Sequence, residues 1–254
     1  MPASSNSPMH ICLSAACSID GYMDDTSNQR LILSSDEDLL DIQRERSLCD
    51  AILVGAGTLR ADNPRLSIRE PPLVDARLRN GLPAQPIKIT LTATGNLDPN
   101  GQFFQQGTQE KIVLCPTGVV TSLKSRLDGW ATVIGIDAPI TARRIAHVLQ
   151  ERGVRHLFVE GGVLVLSLFL SEGIFDRFRL AIAPFFVGEK GISRFQLQHA
   201  LVANRQERLS IGSVRLLGDT TVIDYLHSRG RQTTRHDFET VSDTPVSSIV
   251  ETNV

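Results

Sequence analysis

Three short stretches pair glycine with charge in a way that suits ligand chemistry. The first is Asp50-Ala51-Ile52-Leu53-Val54-Gly55-Ala56-Gly57-Thr58, with Asp62, Arg65 and Arg69 following. Its apolar run breaks into glycines, which let a backbone approach another molecule closely and take dihedrals that a side chain forbids. Thr58 is placed to cap a helix, leaving amide donors aimed beyond the strand end. The second is Phe158-Val159-Glu160-Gly161-Gly162, an acid at a strand's carboxyl end before amides bared by two glycines. The third is Ser18-Ile19-Asp20-Gly21, where Asp20 is a candidate acid but Asp-Gly is also a common turn pair. Plain readings stand beside these. Glu160 equally suits a strand-to-helix connection, Asp62 a helix cap and Arg69 a solvated charge.

Other chemistries lack their residues. There is no P-loop, no G-x-G-x-x-G after the first strand, no H-E-x-x-H and no G-x-S-x-G elbow. His10, His147, His156, His199, His227 and His236 do not group at metal-ligand spacings, so no metal is expected. What remains is a cofactor that supplies the reactive atom while the protein orients it. The chain has 254 residues and a formal charge of −2, which offers no field for nucleic acid or an anionic membrane. Cys12, Cys17, Cys49 and Cys115 lie in or beside apolar runs without a C-x-x-C pair, as reduced buried thiols would. No apolar run reaches transmembrane length, and the N-terminus lacks a signal-peptide core; the expectation is a soluble cytoplasmic protein.

The elements that must position these residues alternate. Strands are expected at Met9 to Cys17, 51–54, Ile87 to Leu91, Lys111 to Cys115, Ala131 to Ile136, Arg155 to Val159 and Phe178 to Ala183. Helices are expected from Ser34-Ser35-Asp36-Glu37 to Ser47, with Leu39, Leu40 and Ile42 along it. Others fall over Val119 to Leu127, Thr141 to Arg152 and from Val163 to Leu170. Glu70 to Pro86 reads as a surface excursion. Arg208 to Leu217 and Thr220 to His227 form a terminal hairpin whose second run, with Asp224 breaking its alternation, reads as an edge strand. Residues 1–8 and 228–254 read as tails around one domain, 9–227. The sum is an α/β fold: three layers, α/β/α, around a mixed sheet, mostly parallel with a C-terminal antiparallel hairpin. Glycine turns at Gly55 and Glu160, side by side at one sheet edge, would form a cleft for an extended, phosphate-bearing molecule.

Five pieces in order resemble the reductase domain of riboflavin biosynthesis, the C-terminal half of bacterial RibD. They are Ala16-Cys17-Ser18-Ile19-Asp20-Gly21, Ile52 to Thr58, Ala61-Asp62-Asn63-Pro64-Arg65-Leu66-Ser67-Ile68-Arg69, Phe158 to Gly162 and Leu180-Ala181-Ile182-Ala183-Pro184. The resemblance implies a dihydrofolate-reductase-like fold, NADPH as hydride donor, a homodimer, and reduction of a pyrimidine 5′-phosphate's ribosylamino group to ribitylamino. It implies cofactor contacts at Ala16, Thr58, Asp62 and the helix start Gly161, Gly162, Val163, Leu164, Val165, Leu166 and Ser167. Substrate contacts are implied at Arg46, Leu66, Arg69 and Glu160.

Departures from the family are equally specific. Ser14 stands where lysine is common, Val163-Leu164 where Pro or Ala precedes Thr or Ser, and Thr92-Ala93 where an Asp-Ser pair is frequent. Arg30 is a candidate replacement ligand for the substrate phosphate. These departures keep two alternatives open: a reductase of another pyrimidine or pterin-like metabolite, and a non-catalytic nucleotide-binding protein on the same fold.

Overall fold

The computed structural model describes residues 8–27, 31–193, 203–204 and 206–227. Arg30 and the expected tails, Pro8 apart, lie outside them. In chain order the elements are β1 (His10–Ser18), β2 (Asp24–Asp25), α1 (Asp36–Leu48), β3 (Ala51–Gly55), α2 (Ala56–Asp62), α3 (Pro71–Arg79) and β4 (Ile87–Leu91). Next come α4 (Gln102–Gln105), β5 (Lys111–Pro116), α5 (Val120–Arg126), β6 (Thr132–Ile136), α6 (Ala142–Glu151), β7 (His156–Val159) and α7 (Val163–Glu172). The chain closes with β8 (Arg177–Ala183), β9 (Gly191–Ser193), β10 (Ser210–Leu217) and β11 (Thr220–Leu226).

Nine strands form one sheet in the order β10-β11-β8-β1-β7-β3-β4-β5-β6, and β2 pairs with β9 apart from it. From β8 to β6 every pairing is parallel; β11 joins β8, and β10 joins β11, antiparallel. This is the expected mixed sheet. Parallel strands buried on both faces read as unbroken apolar runs, and β3 is buried at all five positions. Ile11, Leu13, Leu53 and Val159 pack with Ile145, Leu149, Leu166 and Phe169 of α6 and α7 on one face. Cys12, Ile52, Val54 and Phe158 pack with Phe103, Phe104 and Leu123 on the other. The three layers follow. Among the described residues no helix is long and apolar enough to cross a membrane.

The structure corrects three readings. Glu70 to Pro86 contains α3, because Pro71 and Pro72 occupy its first turn, where a missing N–H costs nothing. Arg77 is buried at its far end and donates to the carbonyls of Ser47, Cys49 and Pro83. Thr58 is not an N-cap: α2 begins at Ala56 with Gly55 as its cap. β11 is not an edge strand, since β10 lies outside it.

As expected, α1 is capped by Ser35, which accepts the Asp38 amide. Its leucines do not face the sheet. Leu39 and Leu40 are each 38% exposed, whereas Asp38 and Asp41 are 1% and 5% exposed. The sheet beneath offers cations rather than an apolar surface. Arg179, fully buried, donates through Nη2 to Asp41 at 2.7 Å and also to Asp38. Arg177 joins Asp224 at 2.8 Å and Glu45, and Arg215 reaches Asp41 at 2.9 Å. Burial pushes the Asp41 carboxyl up, but hydrogen bonds from Arg215 and Arg179 outweigh it and leave the pKa lowered. Asp224 broke the alternation of β11 because it belongs to this charged layer.

A buried charge that loses its partner costs far more than the pair contributes. Arg179→Met strands two carboxylates at once, so it should destabilise the fold by about 3–5 kcal/mol. Urea unfolding at pH 7 would register this as a lower midpoint. In the wild type, the Asp41 contribution is present above the ordinary carboxyl range and is lost as pH falls through its lowered value.

Candidate active site

The cleft exists because β7 is short. It pairs with β1 only from His10 to Leu13, and with β3 from Ala51 to Leu53. β1 continues to Ser18 beside β8, so beyond Leu13 its other edge has no strand partner among the described residues. The His10 amide donates towards the β7 side, to the carbonyl of Arg155. Residue alternation therefore turns the Ala16 amide and carbonyl into the same gap. This is the physical content of the expected contact at Ala16.

The floor of the gap is made by the two glycine turns, which touch. The Gly55 amide donates to the Gly161 carbonyl at 3.1 Å, and the Glu160 amide to Leu53 at 3.0 Å. A Cβ on Gly55 would lie 3.1 Å from Val165 Cγ2. One on Gly162, whose φ is +67°, would lie 3.1 Å from Thr58 Oγ1 and 3.5 Å from Gly55 Cα. Above Gly161, φ +125°, a Cβ would meet nothing within 4 Å. The space is open where a ligand would enter.

Gly162 caps α7 without a side-chain bond, and the first intrahelical bond runs from Leu166 N–H to the Gly162 carbonyl. The amides of Gly162, Val163, Leu164 and Val165 precede it and carry the helix dipole's positive end. Such a cluster of amides is suited to an anion without any hydroxyl from Val163 or Leu164. The expectation for Leu166 and Ser167 is narrowed here. Both side chains are buried, Leu166 fully, and the Leu166 amide is spent within the helix. Thr58 and Asp62 are half-buried on α2 beside the same floor.

Arg46 and Glu160 meet as a fork. Nε and Nη2 of Arg46 donate to the two Glu160 oxygens, each at 2.6 Å. Burial would lower the Arg46 pKa, but the Glu160 carboxylate more than offsets this and raises it. Arg46 Nη1 also donates to the Ser67 carbonyl at 3.1 Å. One guanidinium thus ties α1 to the Glu160 turn and to the loop before α3.

Two residues missed by the sequence reading hold that loop. Gln43 on α1 accepts the Arg69 amide at 2.8 Å; Gln85 accepts from Ile68 N–H at 2.8 Å and donates back to its carbonyl at 3.0 Å. Leu66, 2% exposed, has φ +48°, an uncommon conformation for a non-glycine residue. Its side chain is core, leaving only its backbone for a ligand. Arg69 itself is exposed.

The Asp20 carboxylate is engaged as an acceptor. It accepts from Ser18 Oγ at 2.5 Å, Val187 N–H at 3.2 Å and Gly188 N–H at 2.7 Å. Led by the Ser18 bond, these lower its pKa to about 2. Near neutral pH it is an anion that ties the β1 turn to the chain after β8. A separate cavity of about 500 Å³, lined by Leu33, Ser35, Glu37, Phe185 and Asp219 among others, opens at the end of β8. It lies across β1 from the glycine turns.

The comparisons agree with this geometry. The RibD C-terminal domain family matches residues 9–223, and the chain belongs to that family. The 2,5-diamino-6-ribosylamino-4(3H)-pyrimidinone 5′-phosphate reductase of Archaeoglobus fulgidus is 28% identical over 182 residues, covering 70% of this chain and 82% of that protein. RibD of Bacillus amyloliquefaciens is 29% identical over 185 residues, and the matched part spans 46% of its length. The fold is shared with a pyrimidine reductase-like protein from Corynebacterium diphtheriae at TM-score 0.72 and 21% identity, covering 86% of this chain and 91% of that one. The fold is shared with RibD of Acinetobacter baumannii as well, at TM-score 0.71 and 20% identity, covering 87% of this chain and 59% of that one.

Because Gly162 combines a positive φ with close contact to Thr58, Gly162→Ala should cost about 1–2 kcal/mol. Thermal unfolding would show the loss. Gly161→Ala, which meets no neighbour, should differ by strain alone.

Proposed function

We propose that the chain is an NADPH-dependent reductase of riboflavin biosynthesis. Its substrate in this reading is 5-amino-6-(5-phosphoribosylamino)uracil or the 2,5-diamino-pyrimidinone counterpart. The observation that carries the reading is the contact of the two glycine turns beneath the free edge of β1, in a chain of the RibD C-terminal family.

The residues present fit a dinucleotide. The amides from Gly162 to Val165 suit its pyrophosphate, and the Ala16 amide and carbonyl suit a carboxamide such as that of nicotinamide. NADPH, when bound, supplies the hydride. The reaction adds hydride to the anomeric carbon of the ring-opened sugar imine, and the C=N electron pair passes to nitrogen, which takes up a proton. With Asp20 held as an anion and Glu160 in the Arg46 fork, that proton comes from water. The protein's part is then orientation, which by itself can supply roughly 7–11 kcal/mol of a barrier. Arg69 suits the substrate phosphate. Each Glu160 oxygen keeps a lone pair for an amino group of the pyrimidine while Arg46 fixes the carboxylate.

One observation favours a second reading, a reductase of another pyrimidine or pterin-like metabolite. Arg46 takes one acceptor position on each oxygen of the expected base-reading acid, Glu160, and so restricts the donors a base can present there. Complementation of a riboflavin auxotroph lacking this reductase separates the two readings.

A homodimer fits the open face of the hairpin. Ile211, Val214 and Leu216 on the edge strand β10 are 62%, 60% and 72% exposed. They continue a face with Ile223 of β11 and Leu180 of β8, both half-buried. Contiguous apolar surface of this kind marks protein interfaces.

Absorbance at 340 nm with either ribosylamino phosphate should fall with time in the wild type. Arg69→Ala should raise KM for the phosphorylated substrate by about tenfold or more, the loss of a charged hydrogen bond. Folded Arg69→Ala and Glu160→Gln proteins with unchanged kinetics would remove both residues from the site. Light scattering should give a dimer for the wild type and a monomer for Leu216→Glu; a monomeric wild type contradicts the dimer.

A further inference from the structure

Two residues of the loop between α2 and α3 hold backbone conformations that side chains disfavour. Asn63, which ends α2, has φ +43°, and Leu66 has φ +48°. Asparagine visits this left-handed region readily, but a bulky leucine is strained there and stays only where its surroundings over-determine it. The reductase reading sets the substrate against this loop, through the Leu66 backbone and the Arg69 side chain. What holds the loop in shape therefore bears on the reaction.

The short helix α4 braces both strained residues. The Gln102 amide donates to Asn63 Oδ1 at 2.7 Å, and Gln102 Nε2 donates to the Asn63 carbonyl at 3.0 Å. Gln102 Oε1 accepts from Arg65 Nε at 2.7 Å. Phe103 and Phe104 meet edge to face at 4.8 Å and are buried in the same core cluster as Leu66. One residue of α4 thus grips the start of the loop, and the next two line the core that receives the Leu66 side chain. Just beyond α4, Gln109 Nε2 donates to Ser67 Oγ at 3.3 Å.

A helix of four residues is too short to hold its own position. Lys88 of β4 holds it. Ile89 belongs to the core under α6 and α7, so alternation sends Lys88 to the opposite face, where it is fully buried. Its Nζ donates to the Gln106 carbonyl at 2.7 Å and the Phe103 carbonyl at 3.3 Å, at the end of α4 where a cation is favoured. Among the described residues no carboxylate pairs with it. Burial pushes the Lys88 pKa down to about 8, with Lys111 and Arg46 adding to the shift, so folding disfavours its charge. An apolar side chain would avoid that cost. A lysine is poorly chosen here for stability and well chosen for fixing where α4 sits.

We infer that α4 is a positioning brace for the substrate loop, with Gln102 as its contact and Lys88 as its anchor in the sheet. The inference rests on the reductase reading above. In it neither residue touches the reactants; each acts through the shape of the loop that carries Leu66 and Arg69.

Steady-state kinetics with the ribosylamino phosphates, beside the NADPH dissociation constant from nucleotide fluorescence, test the brace. Folded Gln102→Ala should raise KM for the substrate about fivefold, with kcat and the NADPH constant changed by less than about twofold. Gln102→Glu, which keeps an acceptor for Arg65, should recover part of the loss. In an Arg69→Ala background, where the phosphate contact is already gone, Gln102→Ala should add less than about twofold, because residues acting through one contact are not additive. Lys88→Met should raise KM in the same way; if it does not fold, Gln102→Ala alone decides. An unchanged KM in folded Gln102→Ala or Lys88→Met overturns the inference and leaves the reductase reading intact. So do equal losses for substrate and NADPH, or a full fivefold loss on top of Arg69→Ala. Wild-type protein that turns over neither ribosylamino phosphate brings down the reductase reading, and this inference with it.

Discussion

The hydrogen bond from the Gly55 amide to the Gly161 carbonyl is the constraint on which the cleft depends. Gly55 and Gly162 are the positions where a Cβ would be crowded at this approach. Val165 crowds Gly55 from one side, and Thr58 crowds Gly162 from the other. With the two turns in contact, β7 ends at the floor and β1 runs past it. The free edge at Ala16, the open space above Gly161 and the uncapped start of α7 all follow from that one early ending.

A second layer of the design is ionic. α1 meets the sheet through Asp38, Asp41, Glu45 and Arg46 rather than through its leucines. Buried ion pairs contribute little net stability, because desolvation consumes most of the Coulomb attraction. What they give here is a fixed register. Apolar side chains slide past one another at small cost, whereas a misplaced Arg179 or Arg46 strands a buried charge. Arg46 extends this register into the site, since the same guanidinium grips Glu160 and the Ser67 carbonyl. Gln43 and Gln85 complete the hold on the loop that presents Arg69.

Much of this was legible in the sequence where burial and apolarity coincide. The parallel strands read as apolar runs, and the glycine turns at 55 and 161 sat at strand ends where a switch-point cleft would be. That they lie side by side was the condition set for a cleft, and β3 and β7 do pair. The charged layer did not show, because hydrophobic periodicity assumes that buried means apolar; β11 was given the wrong place for that reason. α3 hid behind two prolines that break a helix interior but not its first turn. Gln43 and Gln85 left no local signal, since a glutamine becomes a clamp only once the fold brings a distant backbone to it. Asp20 is the chemical counterpart: the sequence offers a candidate acid, and only the fold brings the three donors that its carboxylate accepts.

The central claim is that one dinucleotide lies across the contact between the two glycine turns. The most direct measurement is the change in backbone amide ¹H–¹⁵N resonances on addition of NADPH. The account predicts the largest shifts at Gly55, at Gly161 to Val165 and at Ala16, with small ones around Phe185 and Asp219. Shifts confined to the cavity at the end of β8, with Gly55 and Gly161 unmoved, would contradict it.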